Sequence, residues 1–222
     1  MLPPVLTELT DYFAPLSTFG REEGGAVTLL TPGVNVLGLN ATYLPPALSD
    51  TVPDLRSALA WHEMQELPPL LASLLPVAGA QQVAALEVGT FTPTELQDSG
   101  IVVEQISRLH MQKWAEVLTA AHGTPEWATP LARHLAARLE GQREYLPLLA
   151  YDSAGAAVGA LLWHGVNGKG AAHLWGVTHE TARLPLLNAA WALAEGLRAS
   201  ALSGDVALLE ITGVFFGVNV GE

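Results

Sequence analysis

Three apolar runs follow one another closely between residues 145 and 177, and they constrain the fold more than any other feature of this sequence. They cover Tyr145 to Ala150, Ala157 to His164 and Ala171 to Val177. The two connections, residues 152–155 and 167–170, read Asp-Ser-Ala-Gly and Asn-Gly-Lys-Gly, which is the composition of hairpin turns. The sequence therefore predicts three antiparallel strands in the second half of the chain.

Helices are predicted on both sides of these strands. Before them come Lys113 to Ala121 and Pro125 to Leu139, the second capped by Thr124. After them come a long helix from about Pro185 to Ala199 and a strand from Val206 to Ile211. The second half is therefore expected to run α-α-β-β-β-α-β.

The first half also mixes the two element types. The spacing of its apolar residues, together with the Gly and Pro residues that end helices and strands, predicts seven elements. These are a helix over 4–14, strands over 26–30 and 34–43, a mostly helical stretch over 52–75, a strand over 83–88, a helix from Pro93 opened by the capping box Thr92–Glu95, and a strand over 101–109.

The two halves of the sequence share a similar helix-then-strand pattern. Residues 67–71 followed by 83–88 resemble residues 184–187 followed by 206–211, each a helix-then-strand unit. Chance repetition in a leucine-rich chain explains this, and so does a pair of related halves meeting near residue 112.

The net charge of the chain limits the kinds of partner that it can bind. Acidic residues outnumber basic ones 22 to 10, for a formal charge of -12, so a nucleic-acid backbone would be repelled. Two explanations of the surplus stay open. It is either an ordinary solvated surface or a preference for cationic and amine substrates.

Composition also bears on location. The chain has no cysteine, which excludes disulfides and thiolate chemistry, and half of its residues are hydrophobic, enough for a core. The N-terminus lacks the features of a signal peptide, and no apolar stretch reaches the ~20 residues that a membrane span needs. We therefore expect a cytoplasmic protein that does not enter a membrane.

Several site classes are absent from the sequence. None of the seven histidines lies four residues from another, and His62-Glu63-Met64-Gln65-Glu66 lacks the second histidine of the metalloprotease motif. There is no G-x-S-x-G, Walker or G-x-G-x-x-G string. The sequence predicts no metal site and no serine-hydrolase, triphosphate or dinucleotide chemistry.

The junction from Trp175 to Arg183, which follows the three predicted strands, carries a family resemblance. Two leading helices, hairpin strands, a strand ending in Val-x-x-Glu with Arg soon after, then a helix and a strand resemble the GNAT N-acetyltransferase superfamily over about residues 113 to 212. The resemblance implies acetyl-CoA held between the fourth and fifth strands, with its pyrophosphate at a helix N-terminus.

The resemblance also implies binding residues for acetyl-CoA. The backbone at Val177 and His179 corresponds to the place where the family contacts the pantetheine arm, because a strand bulge there frees amides. The start of the next helix, at Arg183, Leu184 and Leu186, corresponds to the pyrophosphate loop.

That loop departs from the family pattern. Its two small positions are Leu186 and Asn188 here, and Pro185 removes one N–H donor, while Arg183 supplies charge.

Two residues are candidate bases for removing the proton of an attacking amine. His173 stands where the family commonly has a glutamate, and Glu210 lies on the following strand. A buried structural histidine and an ordinary strand-end carboxylate are the alternatives.

Together these features predict an α/β fold with mixed, mainly antiparallel sheets of GNAT type, built as two incomplete halves over 1–112 and 113–222. The expected function is acetyl-CoA-dependent acetylation of an amine on a small molecule or peptide. The alternatives are a degenerate GNAT-like binding or assembly module and an unrelated α/β fold. The apolar tail Val214–Phe216 is also compatible with a homodimer strand.

Overall fold

The structure, a computed structural model, describes residues 1–46, 55–95, 99–166, 168–194, 196–202 and 204–219. It divides into two units. The first comprises Met1–Val88, Ala201–Val206 and Ile211–Glu222, and the second comprises Gly89–Ser200 and Ala207–Glu210. None of the described helices combines the length and the apolar character that crossing a membrane requires.

In its described residues, the first unit has two α-helices and a mixed sheet. The elements are α1 (Pro4–Phe13), β1 (Phe19–Glu23), β2 (Ala26–Leu30), β3 (Thr42–Tyr43), α2 (Arg56–Met64), β4 (Leu70–Ser73) and most of β5 (Ala80–Phe91) and β11 (Leu208–Asn219). The strand order is β1-β2-β3-β4-β11-β5. The pair β3–β4 is parallel, and the pairs β1–β2, β2–β3 and β4–β11 are antiparallel.

Helix α1 anchors the core of this unit. Leu6, Leu9 and Phe13 recur at helical spacing and are buried, so they form one apolar face. A Cβ at Gly38 would collide with the ring of Phe13. The absence of a side chain at position 38 therefore lets this loop approach α1 closely.

In its described residues, the second unit has three α-helices and a sheet. The elements are β6 (Val102–Gln105), α3 (Met111–Ala121), α4 (Ala128–Arg138), β7 (Tyr145–Tyr151), β8 (Ala157–Val166), β9 (Lys169–Val177), α5 (Arg183–Trp191) and most of β10 (Leu197–Leu202). The strand order is β10-β9-β8-β7-β6. The pair β9–β10 is parallel, and the pairs β6–β7, β7–β8 and β8–β9 are antiparallel.

Helices α3 and α5 cover opposite faces of this second sheet. A Cβ at Gly159 would meet Leu186 of α5, whereas a Cβ at Gly176 would meet Ala121 of α3. Gly176 pairs with Ala160, and adjacent strand residues point to opposite faces. The second unit is therefore a helix–sheet–helix sandwich.

The predicted α/β class with a mixed sheet is confirmed. The helix at the N-terminus, the strand at 26–30, the helix ending at Ala121 and the three strands between 145 and 177 all lie close to their predicted bounds. The proposed division at residue 112 concerns a relation between two halves of the sequence, and it stays a prediction.

The strand predicted over 34–43 is wrong for most of its length. Only Thr42–Tyr43 is a strand, and Leu37–Leu39 forms a 3-10 turn. The Asn40 side chain explains the loop, because it accepts from the Thr31 N–H at 2.7 Å and donates to the Val34 carbonyl at 2.6 Å.

Two predicted helices in the first 112 residues also need correction. Leu70–Ser73 is a buried strand paired to β3 and β11, and residues 47–54 lie outside the described part of the chain. Thr92–Glu95 is not helical; the next three residues are not described. The Asn188 side chain accepts from the Thr94 N–H and donates to the Thr94 carbonyl, which competes with a helical ladder there.

Three further boundaries in the second half differ. Helix α5 ends at Trp191, because the chain turns at Gly196 (φ 111°) and then pairs with β9. Thr124 makes no side-chain cap, and α4 begins at Ala128 after a 3-10 turn. The tail from Val214 to Phe216 belongs to β11, where Phe216 pairs with Ala72 of β4 in the same chain.

A buried polar chain runs through the first unit. His62 has no exposed surface, and its Nε2 lies 3.0 Å from the Thr42 hydroxyl, which in turn lies 2.9 Å from the Thr28 hydroxyl. Burial lowers the pKa of His62 to about 4, and a contact with the Pro68 backbone offsets only part of this. The imidazole is therefore neutral at physiological pH.

The pKa shift predicts acid sensitivity. Because the folded-state pKa lies below the ordinary 6.5, the unfolded chain binds more protons, and stability is lost as pH falls from about 6.5 toward about 4. Between about pH 7 and about pH 4.5, His62 is expected to cost about 2 kcal/mol of unfolding free energy. His62→Gln, measured by urea unfolding at both pH values, should show a smaller pH dependence than the wild type. An equal pH dependence would contradict this assignment.

Candidate functional site at the divergence of two parallel strands

Strands β9 and β10 are parallel neighbours for only a short distance. The register joins Leu197 to Gly170, Arg198 to Ala171 and Ala199 to Ala172. Within the described residues, no further register pair joins these two strands, although β9 continues to Val177 and β10 to Leu202. The two strands therefore part toward their C-terminal ends.

A bulge in β9 marks the point where the strands part. Along the β8–β9 ladder, Leu162 pairs with Leu174 and His164 pairs with Ala171. An advance of two residues on β8 is therefore matched by three residues on β9. The extra residue lies at positions 172 and 173, opposite Trp163. A β-bulge bends its strand and increases the local twist, which turns β9 away from β10 immediately after Ala172.

Beyond the bulge, part of the β9 backbone faces the opening. The Thr178 N–H donates to the Val158 carbonyl at 2.9 Å, so Thr178 belongs to the ladder with β8. Backbone groups alternate between the two sides of an antiparallel strand. The amide and carbonyl groups of Val177 and Trp175 therefore point away from β8, toward β10.

Side chains reach across the opening. The Trp175 indole donates its Nε1–H to the Ser200 carbonyl of β10 at 2.7 Å, and the Ser200 hydroxyl lies 3.4 Å from the His173 carbonyl of β9. The hydroxyl is the donor in the second contact. Past Ala172, these two contacts between β9 and β10 thus involve side chains in place of a backbone ladder.

The C-terminal end of α3 reaches the same edge of β9. His122, the residue after α3, is exposed, and its Nε2 lies 3.0 Å from the Trp175 carbonyl. Gly176 makes room for it, because a Cβ there would lie 2.9 Å from the Ala121 Cβ and 3.1 Å from His122 Nε2. The helix end and the strand edge approach each other closely through this glycine.

The start of α5 follows the opening in sequence. Arg183, whose side chain is 20% exposed, forms an ion pair with the Glu180 carboxylate. Pro185 has no N–H, and Leu186 is fully buried against the sheet at Gly159. The helix start therefore offers fewer backbone donors than a glycine-rich phosphate loop would.

The Asn188 side chain contacts the backbone of Thr94. Its side-chain amide accepts from the Thr94 N–H at 3.3 Å and donates to the Thr94 carbonyl at 2.8 Å. A glycine at this position would lose both hydrogen bonds, so the departure from the family pattern has a structural use in this chain.

The sequence-predicted site residues are distributed as follows. His173 is buried in the bulge with 7% exposure, and Val177 lies on the open side of β9. His179 is exposed in the turn before α5, and Leu184 is half-buried at its first turn. Glu210 is exposed on β11 with a left-handed backbone, φ 51°.

The structure adds two findings that sequence reasoning missed. The bulge expected at Val177 lies instead at residues 172 and 173, and the ladder is regular through Val177. His122 was not among the candidates, because a single histidine after a helix has no sequence signal. In the described ranges, no group of three or more His, Asp or Glu side chains is placed to hold a metal ion.

No protein-family model matches this chain, and no curated protein matches it in sequence. Solved structures are similar to it. A GCN5-related N-acetyltransferase from Kribbella flavida is 14% identical with a TM-score of 0.61, covering 100% of this chain and 98% of the other. A functionally unknown conserved protein from Staphylococcus epidermidis is 12% identical with a TM-score of 0.59, covering 90% and 93%.

A third similar structure, from Enterococcus faecalis, is described as a probable N-acyltransferase. It is 10% identical with a TM-score of 0.51, and the match covers 90% of this chain and 57% of that one. At these identities the likeness concerns the fold. The chain has the GNAT fold, as a divergent example.

The close approach at Gly176 can be tested directly. Gly176→Ala should force α3 away from β9 and lower the unfolding free energy by about 1–3 kcal/mol, the usual cost of overpacking. Gly20→Ala is the matched control, because its Cβ would meet Leu29 at an ordinary 3.6 Å. Urea unfolding of both variants measures the difference, and equal stabilities would show that the contact is not tight.

Proposed function

We propose that this protein is an N-acyltransferase that uses acetyl-CoA and transfers the acetyl group to an amine of a small molecule or peptide. The observation that carries the proposal is the parting of β9 and β10 after three register pairs, with a bulge at the point of divergence. The GNAT fold of the similar structures supports the same reaction class.

The open edge of β9 suits the amide-bearing arm of acetyl-CoA. Backbone groups at a strand edge pair readily with an extended chain that carries amides. Val177 turns its N–H and C=O groups to this side and Trp175 turns its N–H there, while the Trp175 carbonyl on the same side contacts His122. Val177 and His179 are the proposed backbone contacts of the arm.

The start of α5 is less suited to binding the nucleotide part of acetyl-CoA. Arg183, Leu184 and Leu186 are the proposed contacts there, yet Glu180 neutralises Arg183 and Pro185 withholds a donor. We therefore expect most of the affinity for acetyl-CoA to come from the acetyl-pantetheine part.

The acceptor is proposed to be an amine because the chain carries a formal charge of -12, which attracts cations and repels nucleic acids. In direct transfer, the amine attacks the thioester without a covalent enzyme intermediate. His173 and Glu210 are the sequence-predicted candidates for proton transfer. Cytoplasmic residence and a homodimer also belong to this proposal.

Ligand binding tests the proposal. At ~100 times its dissociation constant, acetyl-CoA should stabilise the protein by about 2.7 kcal/mol. S-acetylpantetheine should also raise the melting temperature, whereas ADP should have little effect. No shift with millimolar acetyl-CoA would end the transferase proposal, and a shift with ADP alone would end the assignment of the β9 edge.

A proline substitution tests the β9 edge itself. Val177→Pro removes an N–H that faces the opening, while the ladder bond of the neighbouring Thr178 to β8 is made by a different amide. Affinity for acetyl-CoA, measured by calorimetry, should fall about tenfold or more. Val177→Ala, which keeps the N–H, is the control and should bind within about twofold of the wild type.

The ion pair at α5 gives a separate prediction. Glu180→Gln removes the carboxylate that neutralises Arg183, so affinity for acetyl-CoA should rise about two- to fivefold, in line with the energy of an exposed charge pair. Affinity for S-acetylpantetheine, which has no pyrophosphate, should not change. An equal effect on both ligands would contradict a nucleotide contact at Arg183.

A non-catalytic binding module is the second candidate, and the α5 start favours it, because Pro185 and the Arg183–Glu180 pair weaken an anion site. Thiol release from acetyl-CoA in the presence of spermidine, lysine and a peptide with a free N-terminus separates the two. Binding without release would favour the module.

A further inference from the structure

We infer that His122 is the base that takes the proton from the amine in the transfer reaction, an inference that rests on the proposed function. His122 lies where the end of α3 meets the open edge of β9, and its Nε2 contacts the carbonyl of Trp175 at 3.0 Å. Four observations about this imidazole carry the inference, and they concern its tautomer, its solvent access, its position and its freedom to change charge.

The contact with Trp175 determines which nitrogen carries the proton. A carbonyl oxygen only accepts hydrogen bonds, so Nε2 is the N–H donor in this contact. The neutral ring has one N–H and one lone pair, and the lone pair is therefore on Nδ1. The contact therefore leaves Nδ1 as the basic nitrogen of the ring.

The same contact survives protonation of the ring. When Nδ1 takes a proton, Nε2 keeps its N–H and its carbonyl acceptor, so the charge change breaks no hydrogen bond. Proton transfer to Nδ1 therefore needs no rearrangement of this contact.

His122 has solvent on one side and the strand opening on the other. The residue is exposed, which allows the ring to pass its proton to water. The Trp175 carbonyl points toward the opening, three residues beyond Ala172, the last β9 residue paired with β10. A thioester lying along this edge would have the imidazole beside it.

With His122 as the base, every proton in the transfer reaction is accounted for. The ammonium group of the acceptor gives one proton to Nδ1 of His122, and the nitrogen lone pair then forms the C–N bond to the thioester carbonyl carbon. The C–S bond breaks and the thiolate leaves. The remaining extra proton on nitrogen passes to the thiolate, and His122 returns its proton to water.

The two sequence-predicted candidates are placed less favourably for this step. His173 is buried in the bulge, at 7% exposure, where its ring has little access to solvent. Glu210 lies on β11, whereas the sheet neighbours of β9 are β8 and β10. His122 is exposed and has a carbonyl that orients it.

A glutamine substitution separates base chemistry from structure. In His122→Gln the side-chain amide can still donate to the Trp175 carbonyl but cannot take a proton. Turnover, followed as thiol release with the amine panel, should fall about 100-fold or more, the usual range for loss of a general base. The dissociation constant of acetyl-CoA should stay within about twofold, and His110→Gln is the control that should keep turnover.

A second readout needs no reaction. Long-range 15N NMR of the ligand-free protein should show the Nε2–H tautomer for His122, assigned by the loss of its signal in His122→Gln. An Nδ1–H tautomer would overturn the inference, and so would unchanged turnover in His122→Gln or a parallel loss of acetyl-CoA binding. If wild-type protein binds no acetyl-CoA or acetylates no amine, the proposed function fails, and the role of His122 fails with it.

Discussion

Strands β9 and β10 hydrogen-bond in register over three residue pairs and then part, and the candidate site depends on this partial pairing. A bulge at residues 172 and 173 of β9 coincides with the divergence. Backbone groups that leave a ladder need other partners. Here the partners are side chains, the His122 imidazole and the Ser200 hydroxyl, each of which supplies a neutral hydrogen bond worth about 1 kcal/mol. The candidate site is therefore a strand edge that is bordered by side chains in place of a backbone ladder.

The start of the helix that follows the opening departs from the GNAT pattern at two positions. Leu186 packs into the sheet at Gly159, and Asn188 holds the backbone of Thr94 through two hydrogen bonds. Both positions are small in the GNAT pattern that this stretch resembles, so the α5 start uses them for contacts within its own unit in place of a close approach to phosphate.

Sequence patterns predicted the elements whose signal is local. The strands between residues 145 and 177 are apolar runs separated by turn residues, and α1 has apolar residues at helical spacing, so both were predicted close to their bounds. The strand at Leu70–Ser73 was missed, because a short buried apolar run has no period that separates strand from helix. The predicted helix at Pro93 was wrong in its described part, because its backbone is engaged by Asn188, 94 residues away in the sequence.

Composition and local residue patterns were enough to predict the α/β class, from an acidic, cysteine-free chain with hairpin strands between helices and a resemblance to the GNAT superfamily. They also indicated the stretch from Trp175 to Arg183 as the place to look for a site. The folded chain was needed to show where β9 leaves β10 and which side chain meets its open edge. The physical reason is that strand registers, bulges and the approach of His122 over Gly176 depend on contacts between distant residues, which local periodicity does not encode.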